Sequence, residues 1–270
     1  METFYLGTHQ PHHLGRTAVP LFVSDVTLRK CKALPEARGP WALDSGGFSE
    51  IGMHGRWTVP AREYVARVRR YRDEIGGLSF CCIQDWMVEE VMLKKTGLSV
   101  KEHQRRTVDS LIELRTLAPE LPWAPVLQGW VATQYLECAD LYEAAGFDLT
   151  REPIVGVGSV CRRQATDGAA RLMQTLKMGM GLRVHGFGFK IQGLKLASKY
   201  LTSADSLAWS YSARREPPLP GHDKPGPGRR FGHINCANCL EYALLWRERL
   251  LRSVDLVNGK GEQLPLFAAA

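Results

Sequence analysis

The chain is 270 residues long, 44% hydrophobic and 23% charged, with a formal net charge of +7. This is globular composition, which excludes a disordered or fibrous chain, and the length suits one large α/β unit with a sizeable core. No apolar run is long enough to span a membrane, no leader pattern is seen, and seven cysteines is an odd number, so the expectation is a reducing, cytoplasmic setting with a polyanionic partner favoured by the charge.

Phe4–Thr8 reads as a short buried strand, followed by His9, His12 and His13 in a turn, and Leu21–Ser24 as a second strand. Residues 41–48, Trp-Ala-Leu-Asp-Ser-Gly-Gly-Phe, then carry an apolar run straight into Asp44 and a glycine pair. Gly46 and Gly47 remove the Cβ atoms that would hold a flat ligand away and leave backbone N–H groups free to point at it. A loop with His54, Arg56 and Trp57 leads to a predicted helix over 61–75, with Tyr64, Val65, Val68, Tyr71 and Ile75 on one face. Leu78–Asp85 repeats the pattern of a buried strand closed by an aspartate. Ser99 is placed to cap a long helix that Pro119 and Pro122 stop. The strand Ala124–Trp130 ends in Gln128-Gly129, and a helix is predicted from Gln134 to Ala145. Ile154–Ser159 is a strand entering a Gly-Ser turn, Thr166–Met178 a helix, and Val184–Lys190 a strand through His185. A short helix near 194–200 precedes a last strand over Ser203–Trp209, containing Asp205.

Eight apolar strands without alternation, separated mostly by helices, are what an all-parallel sheet needs, and eight such units close a (β/α)8 TIM barrel; an open doubly wound sheet is the competing arrangement. The predicted organisation is a barrel over 1–211, a basic Pro/Gly-rich loop with a Cys/His knuckle and terminal helix over 212–260, and a loosely held tail over 261–270. The terminal helix is expected over 237–257. On a barrel, Asp44, Asp85, Gln128, Ser159, Lys190 and Asp205 share the C-terminal rim, where active sites of this fold sit. Crowded carboxylates raise one another's pKa and suit nucleophilic and acid–base work, and Asp with Gln can read a guanine edge.

The chain resembles the queuine/archaeosine transglycosylase superfamily of base-exchange enzymes, which are (β/α)8 barrels. The resemblance rests on Leu43-Asp-Ser-Gly-Gly-Phe48, Gln84-Asp85, Val126-Leu-Gln-Gly129, Val155-Gly-Val-Gly-Ser159, His185-Gly-Phe-Gly188 and Ser203-Ala-Asp-Ser206. It implies Asp205 as the nucleophile of a covalent glycosyl-enzyme and Asp44 as the acid–base carboxylate. Ser45, Gly46, Gly47, Asp85, Gln128, Gly129, Gly156, Gly158 and His185 would form the purine pocket, in which guanine leaves and a free 7-deazaguanine enters without an organic cofactor. Ser49 stands where the tRNA enzymes usually carry Gln, and the residues after Asp205 depart from theirs. The resemblance is closest to the DpdA-like branch, which inserts deazaguanines of the preQ0 type into DNA in bacterial or phage-infected cells. DNA is therefore the implied partner rather than tRNA, together with accessory modification proteins, and Arg214, Arg215, Arg229 and Arg230 of the basic loop are candidate backbone contacts.

His233-x2-Cys236-x2-Cys239 offers three ligands for a structural zinc, with His222 or Cys161 as candidates for the fourth. The N-terminal histidines near the rim suit a phosphate or sugar contact. Trp57, Trp130 and Trp209 are aromatics that would stack on a base turned out of the duplex or belong to the core. Two other readings are a metal-dependent barrel hydrolase and a non-enzymatic nucleic-acid-binding protein; the second leaves Asp44, Asp85 and Asp205 without a task.

Overall fold

Short runs of apolar β-formers become strands because each is buried on both faces, and the computed structural model, which describes residues 1–225 and 232–257, arranges them as one parallel sheet. The strands are β1 (Thr3–Thr8), β2 (Leu21–Ser24), β3 (Trp41–Asp44), β4 (Leu78–Cys82), β5 (Trp123–Ala124), β6 (Val126–Leu127), β7 (Val155–Val157), β8 (Val184–Gly186) and β9 (Ser203–Ser206). Their order is β5-β4-β3-β2-β1-β9-β8-β7-β6. β5 pairs with β4 and β6 with β7, and only Pro125 lies between the two. Proline has no N–H for a ladder, so one stave is split there, while its carbonyl still accepts from the Gly156 N–H at 2.8 Å. Nine strands thus make the eight staves of a nearly closed TIM-type barrel, as the sequence predicts.

Successive side chains of a strand point to opposite faces, and the core divides accordingly. Phe4, Leu6, Leu21, Val23, Trp41 and Leu43 pack in the outer layer against the helices. Tyr5, Phe22, Ala42, Phe80, Cys82 and Ala124 form a second cluster inside the barrel. The same period of two puts Ser24, Asp44, Gly156, His185 and Asp205 in the inward set. Register sets their height: Ser24 pairs with Asp44, and Tyr5 with Asp205.

The helix Ala61–Ile75 buries the five residues expected, and Val100–Leu117 starts at Ser99, whose hydroxyl accepts the Glu102 N–H at 3.2 Å. Other boundaries differ. The Gln134 helix spans Ala132–Ala144, and the helix begun at Asp167 loosens into a π turn over Thr175–Gly179. Trp209 is not in the last strand: β9 stops at Ser206 and a helix, Ala208–Ala213, carries it. The terminal helix begins at Leu240 rather than 237, because Cys236–Cys239 form a turn ahead of it. It buries Ala243, Leu250 and Val254, and the Arg247 guanidinium donates to the Phe4 carbonyl at 3.3 Å, which fastens it to β1. Two helices carry no clear sequence signal: Glu90–Thr96, and Gly47–His54, which includes His54 of the expected loop.

Asp25, buried just after β2, accepts a two-pronged Arg67 contact at 2.9 and 2.7 Å and the Tyr71 hydroxyl at 2.9 Å. Removing one partner of a buried pair leaves the other charge uncompensated. We expect Asp25→Ala to lower unfolding free energy by about 3 kcal/mol in urea titrations, and a loss below about 1 kcal/mol would contradict this role.

Candidate active site

The inward residues at the C-terminal ends of the staves surround a cavity of about 270 Å³, close to the lower bound for small-ligand pockets and suited to a flat ring system. Asp44, Asp85 and Asp205 line it together with Phe22, Phe48 and Phe187. Asp44 ends β3 and is hydrogen-bonded to the Ser24 hydroxyl and the Gly46 N–H. Burial is the largest influence on its carboxyl and pushes the pKa up, reinforced by the charges of Asp205 and Asp25 and opposed by those two hydrogen bonds.

Asp85 follows β4. Burial first, and then the neighbouring charge of Asp44, raise its pKa to about 7. Its Oδ2 accepts from Gln128 Nε2 at 2.5 Å, and Ser45 donates to Oδ1 at 3.4 Å. Gln128 is fully buried; its carbonyl Oε1 lies 2.8 Å from the Ser159 hydroxyl. Gly158 is needed beside it, since a Cβ there would lie 2.3 Å from Gln128 Nε2. Gly46, with φ at +80°, turns the chain from Asp44 into the next helix, and a Cβ on Gly47 would come within 3.4 Å of Asp85. Gly129 and Gly156 are close-packed against Tyr135 and Phe187 instead, so their small size serves packing under the pocket.

Asp205 lies on β9. The Gly188 N–H donates to its Oδ1 at 3.0 Å, and His185 Nε2 lies 3.3 Å from the same oxygen. His185 is fully buried, with Nδ1 2.8 Å from Ser203 Oγ. The Nε2–H is the group that can donate to Asp205, while the Ser203 hydroxyl steadies the other ring nitrogen. Both contacts on Asp205 fall on Oδ1, so Oδ2 is the oxygen available to a substrate.

The structure therefore brings Asp44, Ser45, Gly46, Gly47, Asp85, Gln128, Gly158, His185 and Asp205 together. It adds Ser24, Phe22, Met87, Glu89 and Phe187. These lack a strand-end carboxylate signal, although Phe22 and Ser24 are readable in retrospect from their alternation in β2. Phe48, within the Asp44 motif, is half exposed at the cavity mouth with the Arg162 guanidinium 5.6 Å above its ring. Trp57 donates to the Asp85 carbonyl at 3.1 Å, Trp209 is core, and Trp130 is exposed beneath Arg163.

The histidines of the first turn have a structural task. His9 stacks on Trp209 at 6.2 Å and 5°, and its Nε2 lies 2.5 Å from Asn238 Oδ1. His13 is buried, lies 2.9 Å from Thr8 Oγ1, and has its pKa lowered to about 4, mainly by burial. Of the arginines of the basic loop, Arg214 is exposed and Arg215 sits 3.4 Å over the Tyr211 ring; Arg229 and Arg230 lie outside the described residues, as does the tail over 261–270.

His222, His233, Cys236 and Cys239 form one cluster whose ligand atoms all lie within 4.8 Å of one another. Cys236 Sγ is 3.7 Å from His222 Nδ1 and 3.6 Å from His233 Nδ1, and Cys239 Sγ is 3.6 Å from His222 Nδ1. Ligands around a tetrahedral zinc stand about 3.6 Å apart, so the donor set and its spacing suit a metal such as zinc. His222 is thus the fourth member, whereas Cys161 lines the main cavity. Among the described residues, no helix is long and apolar enough to cross a membrane.

A family model described as DpdA, DeoxyPurine in DNA protein A, matches residues 1–270. No curated protein matches the chain.

A carboxyl held above its unfolded pKa binds its proton more tightly in the fold, so stability falls as pH rises from about 4 towards the folded value. For Asp85 that value is about 7, so the loss is complete above it. Asp85→Asn should therefore exceed the wild type in unfolding free energy by on the order of 2 kcal/mol at pH 8, the gap narrowing below pH 7 and closing near pH 4. Equal pH dependence of the two proteins in urea titrations would contradict the raised pKa.

Proposed function

The chain belongs to the DpdA family, which places it among transglycosylase-type enzymes of DNA modification, and on that premise we propose that it exchanges guanine in DNA for a 7-deazaguanine base of the preQ0 type. The observation that carries this reading is the opposition of two differently prepared carboxyls across one ring-sized cavity. Asp205 has one oxygen anchored and one available, while Asp44 is biased towards its protonated form.

In the first half-reaction Asp205 Oδ2 attacks C1′ of the deoxyribose, forming an ester as the C1′–N9 bond breaks. Asp44 gives its proton to the departing purine, which leaves as neutral guanine, and Asp44 becomes a carboxylate. In the second, the entering 7-deazaguanine loses its N9 proton to Asp44, N9 attacks C1′, and the C1′–O bond breaks to return the Asp205 carboxylate. Two inversions retain the configuration of the sugar. The Gly188 N–H and His185 hold Asp205 Oδ1 throughout, so the nucleophile does not reorient between the halves.

Asp85 as a carboxylate would accept the N1–H and N2–H of guanine, and Gln128 Nε2 would donate to O6. The base must leave the duplex to reach a barrel rim, and the Phe48 ring at the mouth offers a stacking face. The exposed Arg162, Arg214 and Arg215 are candidates to contact the phosphate backbone, and DNA is favoured over tRNA by the family description alone. Asp205→Asn should abolish incorporation of labelled base into duplex DNA and yield no covalent DNA adduct. Full exchange by that variant, or label entering tRNA alone, would overturn the assignment.

We also propose that the cluster of His222, His233, Cys236 and Cys239 holds a structural zinc that ties the loop after residue 213 to the terminal helix. Protein purified without chelator should contain about one zinc per chain, and His222→Ala should lower both zinc content and melting temperature. Metal-free protein of unchanged melting temperature would exclude it.

A further inference from the structure

Ser159 Oγ sits at a crossing of hydrogen bonds that fixes where protons lie. The Val88 N–H donates to it at 2.9 Å, Gln128 Oε1 lies 2.8 Å away, and Glu89 Oε2 lies 2.9 Å away. A hydroxyl has one proton, so it cannot fully satisfy both Gln128 Oε1 and a Glu89 carboxylate as acceptors. The arrangement is imposed, not accidental: Ser159 is the one non-glycine residue with positive φ among the described residues, at 55°, and Gly158 beside it admits the Gln128 amide. Glu89 and Ser159 are both buried, and both line the cavity.

Two states satisfy every group. If Glu89 is a carboxylate, it accepts the serine proton; Ser159 must then accept from the Gln128 NH2, which turns the amide oxygen towards Asp85 and the ligand, and Asp85 must be a carboxylic acid to donate to it. If Glu89 is a carboxylic acid, its O–H donates to Ser159, Ser159 donates to Gln128 Oε1, and the Gln128 NH2 faces Asp85 and the cavity. Only the second state combines an ionised Asp85 with an amide N–H directed at a carbonyl oxygen of the ligand.

We propose that Glu89 is a positioning residue for base selection: acting as a hydrogen-bond donor through Ser159, it orients the Gln128 amide so that the pocket reads a 6-oxopurine and rejects a 6-aminopurine. This rests on the base-exchange reading above, which supplies the ligand carbonyl that selects the second state, and the position of the proton is read independently by the first test below. The groups around the relay are Asp44 beside Asp85, and Tyr135 and Cys161 near Glu89; the Arg163 guanidinium donates to the Tyr135 hydroxyl at 2.9 Å. Arg163 is held by that hydroxyl and by the Ser159 and Gly129 carbonyls.

The first test needs no ligand. The infrared difference spectrum of wild type minus Glu89→Gln, recorded near pH 8 to keep Asp85 largely ionised, should contain the carbonyl stretch of a protonated carboxylic acid, shifted in deuterated water. A difference showing only carboxylate bands overturns the proposal. The second test is calorimetric binding of guanine and adenine. Glu89→Leu should lower guanine affinity about tenfold and narrow its preference over adenine, while Glu89→Gln, which keeps a donor, should recover most of the loss. Unchanged guanine preference in Glu89→Leu would also overturn it. Wild-type protein that binds neither base would count against the base-exchange reading, and the infrared result would still decide the position of the proton.

Discussion

The site depends on holding carboxyl groups close together in a space from which water is largely removed. The charge of Asp44 raises the cost of ionising Asp85, and Asp205 and Asp25 add to the burden on Asp44. A solvated cluster would lose this bias to screening. A parallel barrel provides the opposite condition, since every stave delivers its last inward residue to one rim and the interior below is filled by Tyr5, Phe22, Phe80 and their neighbours. The aromatic floor is what makes the carboxyls expensive to ionise.

Each carboxyl is then distinguished by its hydrogen-bond partners. Asp44 receives Ser24 and Gly46, Asp85 receives Gln128 and Ser45, and Asp205 receives Gly188 and His185. The partners come from different staves, so no local segment builds the site. The left-handed Ser159 and the missing Cβ of Gly158 belong to the same economy of space: they let a buried amide lie against the sheet edge within reach of Asp85. Local strain of this kind persists only where surrounding contacts fix it, and three hydrogen-bond partners meet at the serine.

Much of this was legible from the order of residues. Asp44, Asp85, Gln128 and Asp205 each close an apolar run, and a barrel places run ends on one rim. The eight staves follow from the same runs, and Pro125 explains why one of them registers as two short strands. What escaped is what tertiary packing decides. Trp209 has a strand former's side chain, but the Gly7 carbonyl accepts its indole N–H at 2.7 Å from a helix. Glu89 sits in an irregular segment after β4, and it is Ser159, arriving just after β7, that gives its carboxyl a partner. His222 was one of two candidates for the metal cluster, because proximity across fourteen residues of Pro/Gly-rich chain has no periodic signature.

The cluster is also joined to β9, the stave of Asp205, by a short run of contacts. Asn238 lies between Cys236 and Cys239 in sequence, and its side chain meets His9; His9 stacks on Trp209, three residues beyond Ser206 at the end of β9. Trp209 in turn is anchored on the Gly7 carbonyl of β1, the stave that pairs with β9 at Asp205. The first and last staves of the barrel are therefore clamped from above by the segment that carries the cysteines. A terminal helix fastened to Phe4 from outside completes the clamp. The position of Asp205 is thus set both by its own ladder and by a second fastening that reaches it through His9 and Trp209, which gives His9 a mechanical reason to stand at the rim.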